Sequence, residues 1–327
     1  MLKQYFHWND AQMNKHYVYE WLPDEANAIK AIVQIAHGMS ETAARYERLA
    51  ETLTEQGYAV YANDHLGHGL TAGVPENVGK FGKDCFHSMA ANMGGITEQI
   101  RLRHAKDIPL YVLGHSMGSF LTQSYMVTYV NENPEHVQGI ILSGTNGKEG
   151  PVLQVGIVVA SLEAAIRGDH HRSKLLTNLS FGAFNKRFAP NRTESDWLSR
   201  DAEEVDRYVD DPYCGVIFTS GYFRDFFKGL KEIHQPSHVS RIRKDLPIFV
   251  FSGEEDPVGG HGKGVRRLLA MYQAIGLQKV SSKLYPGGRH EMLNEVNREE
   301  VMSDISEWLN RQVAALRRGN DSTMKQR

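Results

Sequence analysis

The sequence predicts an α/β protein with a mostly parallel central sheet, flanked by helices and interrupted by one helical insertion. Short apolar runs alternate with longer segments in which apolar residues recur at three- and four-residue spacing. This alternation is typical of βα units on a parallel sheet. Most of the apolar runs end at glycine, proline or polar residues, as strands do. A chain of 327 residues with a 41 % hydrophobic fraction is long enough for one large core plus an insertion.

The predicted elements follow one another along the chain. Two extended stretches at residues 4–8 and 15–21 predict a leading hairpin. The other predicted strands lie at residues 31–36, 58–62, 110–114, 139–143, 248–252 and 281–286. Helical spacing of apolar residues predicts helices at residues 41–56, 88–103, 117–131, 263–275 and 297–315.

The alternation of strands and helices stops between residues 147 and 240, where only helical patterns are found. We therefore predict a first core part at 1–146, a helical cap at 147–240, a second core part at 241–315 and a polar tail at 316–327. The tail is expected to fray because it is polar and terminal.

The first helix of the cap carries an apolar stripe. The stripe consists of Val152, Val155, Val159, Leu162 and Ile166. Two interpretations are open: the stripe packs on the core, which is the favoured one, or it forms part of a lid over an apolar substrate.

Charge and cysteine content exclude several classes of protein. The formal net charge is −2 and no long basic run is present, so a nucleic-acid partner is not expected. Cys85 and Cys214 are too few and too far apart for a disulfide framework, which favours reduced thiols. The N-terminus does not resemble a signal peptide, and the most apolar stretch, 152–166, is too short to span a bilayer. We therefore expect a cytoplasmic protein.

A Gly-x-Ser-x-Gly motif lies between a predicted strand and a predicted helix. The motif is GHSMG, with Ser116 at its centre. A turn of this kind projects the serine hydroxyl outward, and the glycines let neighbouring backbone approach closely. The start of the following helix favours negative charge that develops on a substrate carbonyl oxygen. Ser116 is therefore the candidate nucleophile.

A serine nucleophile needs a base and an orienting carboxylate, each on a loop that follows a strand. Asp256 follows the strand at 248–252, and His290 follows the strand at 281–286. They come after Ser116 in the order serine, acid, histidine that this fold uses. Glu254 and Glu255 lie in the same loop as Asp256 and are alternative candidates for the acid.

Two backbone amides are predicted to form an oxyanion hole. One is the amide of Met117, the residue after the nucleophile, and the other is the amide of Met39 in the loop after the strand at 31–36. An ordinary turn into the next helix is the alternative interpretation of the His37-Gly38 sequence in that loop.

These segments together resemble the monoacylglycerol lipase and lysophospholipase branch of the α/β-hydrolases, grouped with serine aminopeptidase-like hydrolases. The loop HGMSETAARY is similar to the family's His-Gly-x-Gly-Glu-His loop, with Ser40 where glycine is usual and Thr42 where histidine is usual. GHSMGS, GEEDPV and GGRHEMLNE resemble the nucleophile, acid and histidine segments, and WLSRDAEEVDRYVDDPYCG resembles a cap segment of bacterial members.

The resemblance implies a serine hydrolase that cleaves carboxylic esters, monoacylglycerols or lysophospholipids, through an acyl-enzyme and without a cofactor. It implies that Glu41, Arg45 and His115 lie near the polar head of the substrate. An ion pair between Glu41 and Arg45 is the alternative. In NDHLGHGLT, residues 63–71, the resemblance implies a structural loop and no metal site. The cap would also offer a surface for transient contact with a membrane.

Two other functions are kept as hypotheses. An aminopeptidase would need acidic cap residues to bind a free amino terminus, and the candidates are Glu194, Asp201, Glu203, Glu204 and Asp206. A non-catalytic ligand-binding protein could also be built on this fold.

Overall fold

A computed structural model of the chain describes residues 1–24 and 29–324. These residues form one eight-stranded sheet with the strand order β1-β2-β4-β3-β5-β6-β7-β8. The strands are β1 Leu2–Asn9, β2 Lys15–Leu22, β3 Ala31–Ala36, β4 Tyr58–Asn63, β5 Leu110–His115, β6 Gly139–Ser143, β7 Ile248–Gly253 and β8 Val280–Tyr285. β1 and β2 pair antiparallel, β2 joins β4 antiparallel, and all the other pairs are parallel. The predicted fold class is confirmed.

Helices cover both faces of this sheet. They are α1 Glu47–Thr54, α2 Gly69–Ala72, α3 Cys85–Arg103, α4 Met117–Glu132, α5 Pro151–Arg167, α6 Lys174–Phe181, α7 Ala202–Asp210, α8 Ser220–Ile233, α9 Pro236–Val239, α10 Lys263–Ala274 and α11 Arg298–Met324. One apolar cluster unites α3, α4, α8 and α10 with one face of the sheet, and a second unites α1 and α11 with the other. Every residue of β3 to β7 is buried, as expected of strands covered on both faces.

Two helices differ from their predicted bounds. The helix predicted at 41–56 begins as a 3₁₀ turn at Ala43–Tyr46 and becomes α-helical only at Glu47. Its first residues bond to neighbouring loops, since the Ala43 amide donates to Asp64 at 2.8 Å. At the other end of the chain, α11 continues to Met324, past the predicted start of the polar tail at 316. Residues 325–327 of that predicted tail lie outside the described residues.

Helices α5 to α9 lie between β6 and β7, in the segment predicted to be a cap. Helix α5 packs on the core, with Ala160 in the apolar cluster and Val159 of the stripe beside it. The rest of the stripe lies outside, since Val152 is 82 % exposed and Ile166 is 81 % exposed. A different face of α5, with Ala160 and Ala164, is buried. Gly156 lets α5 lie close to α8, because a Cβ there would lie 3.3 Å from the ring of Phe227. In the part of the chain that the structure describes, no helix has the length and apolar character to cross a membrane.

Candidate active site

Ser116 lies at a sharp turn between β5 and α4. Its backbone has φ +51° and ψ −118°, a conformation that is strained for any residue with a side chain. The flanking glycines are needed for packing: a Cβ at Gly118 would overlap the backbone oxygen of Ala36, and one at Gly114 would overlap Thr122. The turn therefore holds the serine in a strained conformation, as the motif predicts.

The structure brings Ser116, His290 and Asp256 into one line of hydrogen bonds. Nε2 of His290 lies 2.9 Å from Oγ of Ser116, and Nδ1 of His290 lies 3.0 Å from Oδ1 of Asp256. The carboxylate also accepts hydrogen bonds from the Ser252 hydroxyl and the Val258 amide, both at 2.9 Å. Asp256 is fully buried. These contacts fix the carboxylate and the plane of the imidazole.

The charges of the two buried groups stabilise each other. Burial acts to lower the pKa of His290, but the charge and the hydrogen bond of Asp256 outweigh it, so this pKa is raised. Burial acts to raise the pKa of Asp256, and the His290 imidazolium reverses this, so that the pKa is lowered. The arrangement favours a proton on His290 next to an ionised carboxylate, which is what a general base needs when it takes a proton from serine.

The alternative acids in the same loop have other surroundings. Glu255 forms an ion pair with Arg187 at 2.9 Å, and its carboxylate is about one-third exposed. Glu254 is exposed. Of the three acids, Asp256 is the one that bonds to His290.

The loop after β3 lies beside the nucleophile. A Cβ at Gly38 would lie 3.2 Å from Cβ of Ser116, and the His37 carbonyl packs against the first turn of α4. Ser40 has a positive φ of +58°, a backbone conformation that favours glycine. Met117 is the first residue of α4, so its amide has no acceptor within the helix. The assignment of the Met39 and Met117 amides to an oxyanion hole stays a prediction.

A buried polar cluster adjoins His290. Arg45 donates to Glu41 at 2.9 Å and to both carboxylate oxygens of Glu291 at 2.6 Å. Glu41 also accepts hydrogen bonds from the Gly38 amide and the Tyr46 hydroxyl. The ion pair that was the alternative interpretation of Glu41 and Arg45 is therefore present. Their contact with substrate stays a prediction.

Glu291 is a residue that the sequence analysis missed. Burial acts to raise its pKa, but the Arg45 guanidinium lowers the pKa of Glu291 to about 2. Its position directly after His290 was the available signal. His115, the third predicted substrate contact, lies with its ring 4.8 Å from that of His290, and its Nδ1 is 3.1 Å from the Ser143 hydroxyl. Burial lowers the pKa of His115 to about 4, so this ring is neutral at neutral pH.

The segment NDHLGHGLT forms a loop held by its own side chains. Asp64 accepts hydrogen bonds from the Ala43 amide at 2.8 Å and the Leu70 amide at 2.7 Å. The rings of His65 and His68 gather with that of His37 at centroid distances of 4.4 to 6.3 Å. Among the described residues, no group of three or more histidines, cysteines and acids is arranged to hold a metal ion.

Several acidic cap residues proposed for an aminopeptidase site already have partners. Asp201 caps α7 and pairs with Arg298 at 2.6 Å. Glu204 pairs with Arg48 at 2.6 Å and Arg207 at 2.7 Å. Asp206 pairs with Arg192, while Glu194 and Glu203 are exposed. These pairs neutralise much of the negative charge that would attract an amino terminus.

Comparison with known proteins places this site in context. A family model described as serine aminopeptidase, S33, matches residues 27–297. A monoacylglycerol lipase of Mycolicibacterium smegmatis is 28 % identical over 297 residues, which cover 88 % of this chain and 90 % of the relative. A monoglyceride lipase of Rattus norvegicus is 26 % identical over 302 residues, 90 % of this chain and 86 % of the relative.

A solved structure is also similar to this fold. The thermostable carboxyl esterase of Bacillus coagulans, in complex with glycerol, superposes with a TM-score of 0.86 at 26 % identity. The match covers 96 % of this chain and 99 % of that chain.

Proposed function

Because this chain belongs to the serine aminopeptidase S33 family of hydrolases, with the α/β-hydrolase fold, we propose that it is a serine ester hydrolase that cleaves monoacylglycerols. The observation that carries the proposal is the hydrogen-bonded line from Ser116 through His290 to Asp256. The names of its relatives, monoacylglycerol lipase and monoglyceride lipase, support the substrate class.

The reaction begins with a proton transfer. Oγ of Ser116 attacks the ester carbonyl while its proton passes to Nε2 of His290. Asp256 stabilises the imidazolium that forms, and the amides of Met39 and Met117 bind the oxyanion. His290 then donates its proton to the leaving alcohol, and an acyl-serine remains. Water, activated by His290, releases the acid and restores the serine.

The polar cluster supplies a place for a glycerol head. In this proposal Glu41, Arg45 and His115 border the end of the pocket that receives the hydroxyl groups. Glu41 and Arg45 are held rigidly by their ion pair, and such a preorganised pair orients a ligand without reordering its own side chains. His115 is neutral, so it can donate or accept a hydrogen bond.

Residues 147–240 serve as the cap in this proposal, and an exposed apolar patch on it contacts a lipid surface. The patch lies on α5 and α6 and consists of Val152, Val155, Val158, Leu162, Ile166, Leu175 and Leu179, which are 49 to 82 % exposed. An exposed apolar patch of this kind marks an interaction site. A transient contact there would bring the enzyme to substrates that reside in membranes.

A cytoplasmic location is also part of the proposal. It is supported by Cys85 and Cys214, which are both free and buried.

The function is tested with a panel of substrates. Purified protein should hydrolyse monoacylglycerols faster than lysophospholipids or amino-acid arylamides, and a fluorophosphonate probe should label Ser116. The Ser116→Ala variant should fold normally and lose both the hydrolysis of monoacylglycerols and the labelling by the probe. Preferred cleavage of arylamides would favour the aminopeptidase instead. Absence of labelling together with absence of turnover would favour a binding protein.

A further inference from the structure

A segment of the cap, residues 197–199, is hydrogen-bonded to the loop that carries His290. The His290 amide donates to the Trp197 carbonyl at 3.4 Å, and the Glu291 amide donates to the Leu198 carbonyl at 2.7 Å. Arg289 donates to the Ser199 carbonyl at 3.0 Å. Two backbone hydrogen bonds and one from the Arg289 side chain therefore join the histidine loop to a cap segment far earlier in the chain.

Ion pairs add to these contacts between the cap segment and the chain that follows His290. Arg200 donates to the fully buried carboxylate of Glu295 at 2.8 Å, and Asp201 pairs with Arg298 at 2.6 Å. Charge-assisted hydrogen bonds of this kind have well-defined geometry. They hold the cap segment in a fixed position next to the histidine loop.

The indole of Trp197 lies against the imidazole of His290. The two ring centroids are 5.0 Å apart and the planes are inclined by 35°. Phe184 meets Trp197 edge to face at 4.9 Å, and Phe181 is stacked with it at 6.2 Å. The indole is thus held in place by cap aromatics while it contacts the histidine ring.

We propose that Trp197 is a positioning residue for His290: its indole fixes the ring that takes the proton of Ser116 and stabilises the imidazolium form. The inference rests on the proposed function of His290 as the general base. The cap therefore takes part in the chemistry through one aromatic side chain, in addition to any contact with substrate.

Physical chemistry favours this role. A cation within about 6 Å of an indole centroid is attracted by the negative face of the ring, most strongly where water is excluded. The cation here exists only after proton transfer, so the attraction is larger in the transition state than in the ground state. A general base that tilts away from its proton donor loses rate steeply. An indole against the imidazole opposes that tilt.

The charged and titratable groups around His290 are known from the structure. Asp256 bonds to Nδ1, and Glu291 and Glu41 add negative charge from the polar cluster. Arg45 neutralises part of that charge. His115, with its ring 4.8 Å away, is neutral and adds no repulsion near neutral pH. Trp197 acts on the imidazolium in addition to these groups.

The contact itself is tested by fluorescence, without any turnover. A protonated imidazole next to an indole quenches its emission, so the wild-type emission should fall by a measurable step as the pH drops through the pKa of His290. Both Trp197→Phe and His290→Asn should lack this step. Trp8 also has a histidine neighbour, His16 at 5.1 Å, and its contribution remains in both variants. Identical titrations of wild type and Trp197→Phe would overturn the proposal.

The catalytic effect is tested with two substitutions of similar size. Trp197→Phe keeps an aromatic face and Trp197→Leu removes it. With p-nitrophenyl acetate, whose short acyl group makes few cap contacts, Leu should lower kcat about tenfold and Phe only about twofold. Leu should also lower the acid-limb pKa of kcat/KM by about half a unit relative to Phe. Trp8→Leu, the same change at the tryptophan that lies 5.1 Å from His16, is the matched control and should leave this pKa unchanged.

The outcomes separate this inference from the proposed function. Equal kcat and equal acid-limb pKa for the Phe and Leu variants, both with wild-type melting temperatures, would overturn the role of Trp197. Failure of Ser116→Ala to lose activity would instead overturn the proposed function, while the fluorescence step would still report the contact between Trp197 and His290. If both the Leu and the Phe variant have a lower melting temperature than the wild type, that shared loss of stability does not explain a difference in acid-limb pKa between them.

Discussion

Arg45 and Glu291 form a bidentate ion pair in which each of the two terminal guanidinium nitrogens lies 2.6 Å from one carboxylate oxygen. Arg45 lies just before α1, and Glu291 directly follows His290 in the chain. The pair therefore joins the region of the predicted oxyanion loop to the loop of the predicted general base. Glu41 completes the link, because it bonds both to Arg45 and to the Gly38 amide.

Replacing Glu291 by Gln should move the pH profile toward acid. The negative charge of Glu291 helps to raise the pKa of His290. Without it that pKa falls, the neutral base persists to lower pH, and the acid limb of kcat/KM shifts downward. Unfolding free energy should fall by about 1 to 3 kcal/mol, because a buried guanidinium loses a charged partner.

Rate profiles and urea denaturation of Glu291→Gln measure both effects. Glu255→Gln is the matched control, since it removes a carboxylate whose ion pair with Arg187 is partly exposed. It should leave the acid limb in place. An acid limb of Glu291→Gln that stays fixed or moves upward would contradict the electrostatic argument.

Asp256→Asn should nearly abolish hydrolysis while the protein still folds. The amide cannot stabilise the imidazolium and favours the wrong tautomer, a loss on the order of 10³ to 10⁴ in kcat in related chemistry. Glu254→Gln and Glu255→Gln should retain activity within about twofold. Single-turnover measurements with a chromogenic ester provide the comparison. A larger loss in either glutamate variant would assign the acid elsewhere.

Mild acid should destabilise the fold through its buried histidines. Burial lowers the pKa of His37 to about 4 and that of His68 to about 3, and the pKa of His65 also falls. The unfolded chain binds protons on these rings near pH 6.5, and the folded protein does not. The contribution of these neutral rings to the free energy of unfolding is therefore fully present above pH 6.5. It is lost as the pH falls toward the lowered pKa values.

Urea unfolding between pH 7 and pH 5 tests this expectation. Most carboxylates with lowered pKa contribute only below this window. Asp64, whose pKa burial raises to about 6, and His290, whose pKa Asp256 raises, oppose the trend. The slope of unfolding free energy against pH should be positive. In His68→Gln this slope should be smaller, by an amount that corresponds to at most one proton bound on unfolding. The wild-type slope retained in His68→Gln would show that this ring is not a source of the acid sensitivity.

Charging the exposed patch on the cap should weaken binding to lipid surfaces. The double variant Val155→Asp and Ile166→Asp places two charges among side chains that are 61 % and 81 % exposed. Co-sedimentation with phosphatidylcholine vesicles should drop at least fivefold, because each charge opposes burial in the acyl region. Hydrolysis of a water-soluble ester should stay unchanged.

Val209→Asp is the matched control for this experiment. Val209 lies on α7, outside the patch, and is 52 % exposed. It should sediment with vesicles as the wild type does. Equal loss of binding in the control, or full binding in the double variant, would remove the patch from the proposal.

The sequence was most informative where one element decides its own structure. Strands β3 to β7 could be predicted to within a residue because a strand buried on both faces must be a short continuous apolar run. The loops after β5, β7 and β8 could be found for a similar reason, since parallel strands bring their carboxyl ends to one edge of the sheet. Ser116, Asp256 and His290 follow from that rule.

The sequence was least informative about which face of a cap helix packs against a neighbouring helix. Periodicity showed that α5 has an apolar stripe, but the buried face is the one with Ala160, and Gly156 and Glu163 contact Phe227 and Ser220 of α8. A helix with two candidate faces does not reveal its partner, because the choice depends on the shape of the other helix.

The sequence by itself determined the sheet, the turn at Ser116 and the order of the three residues that meet there. Only the tertiary structure decided that Glu291 pairs with Arg45 and that Trp197 of the cap lies against His290. The physical reason is separation along the chain: local patterns record what neighbouring residues do to each other. Contacts across 93 or 246 residues depend on how whole elements pack.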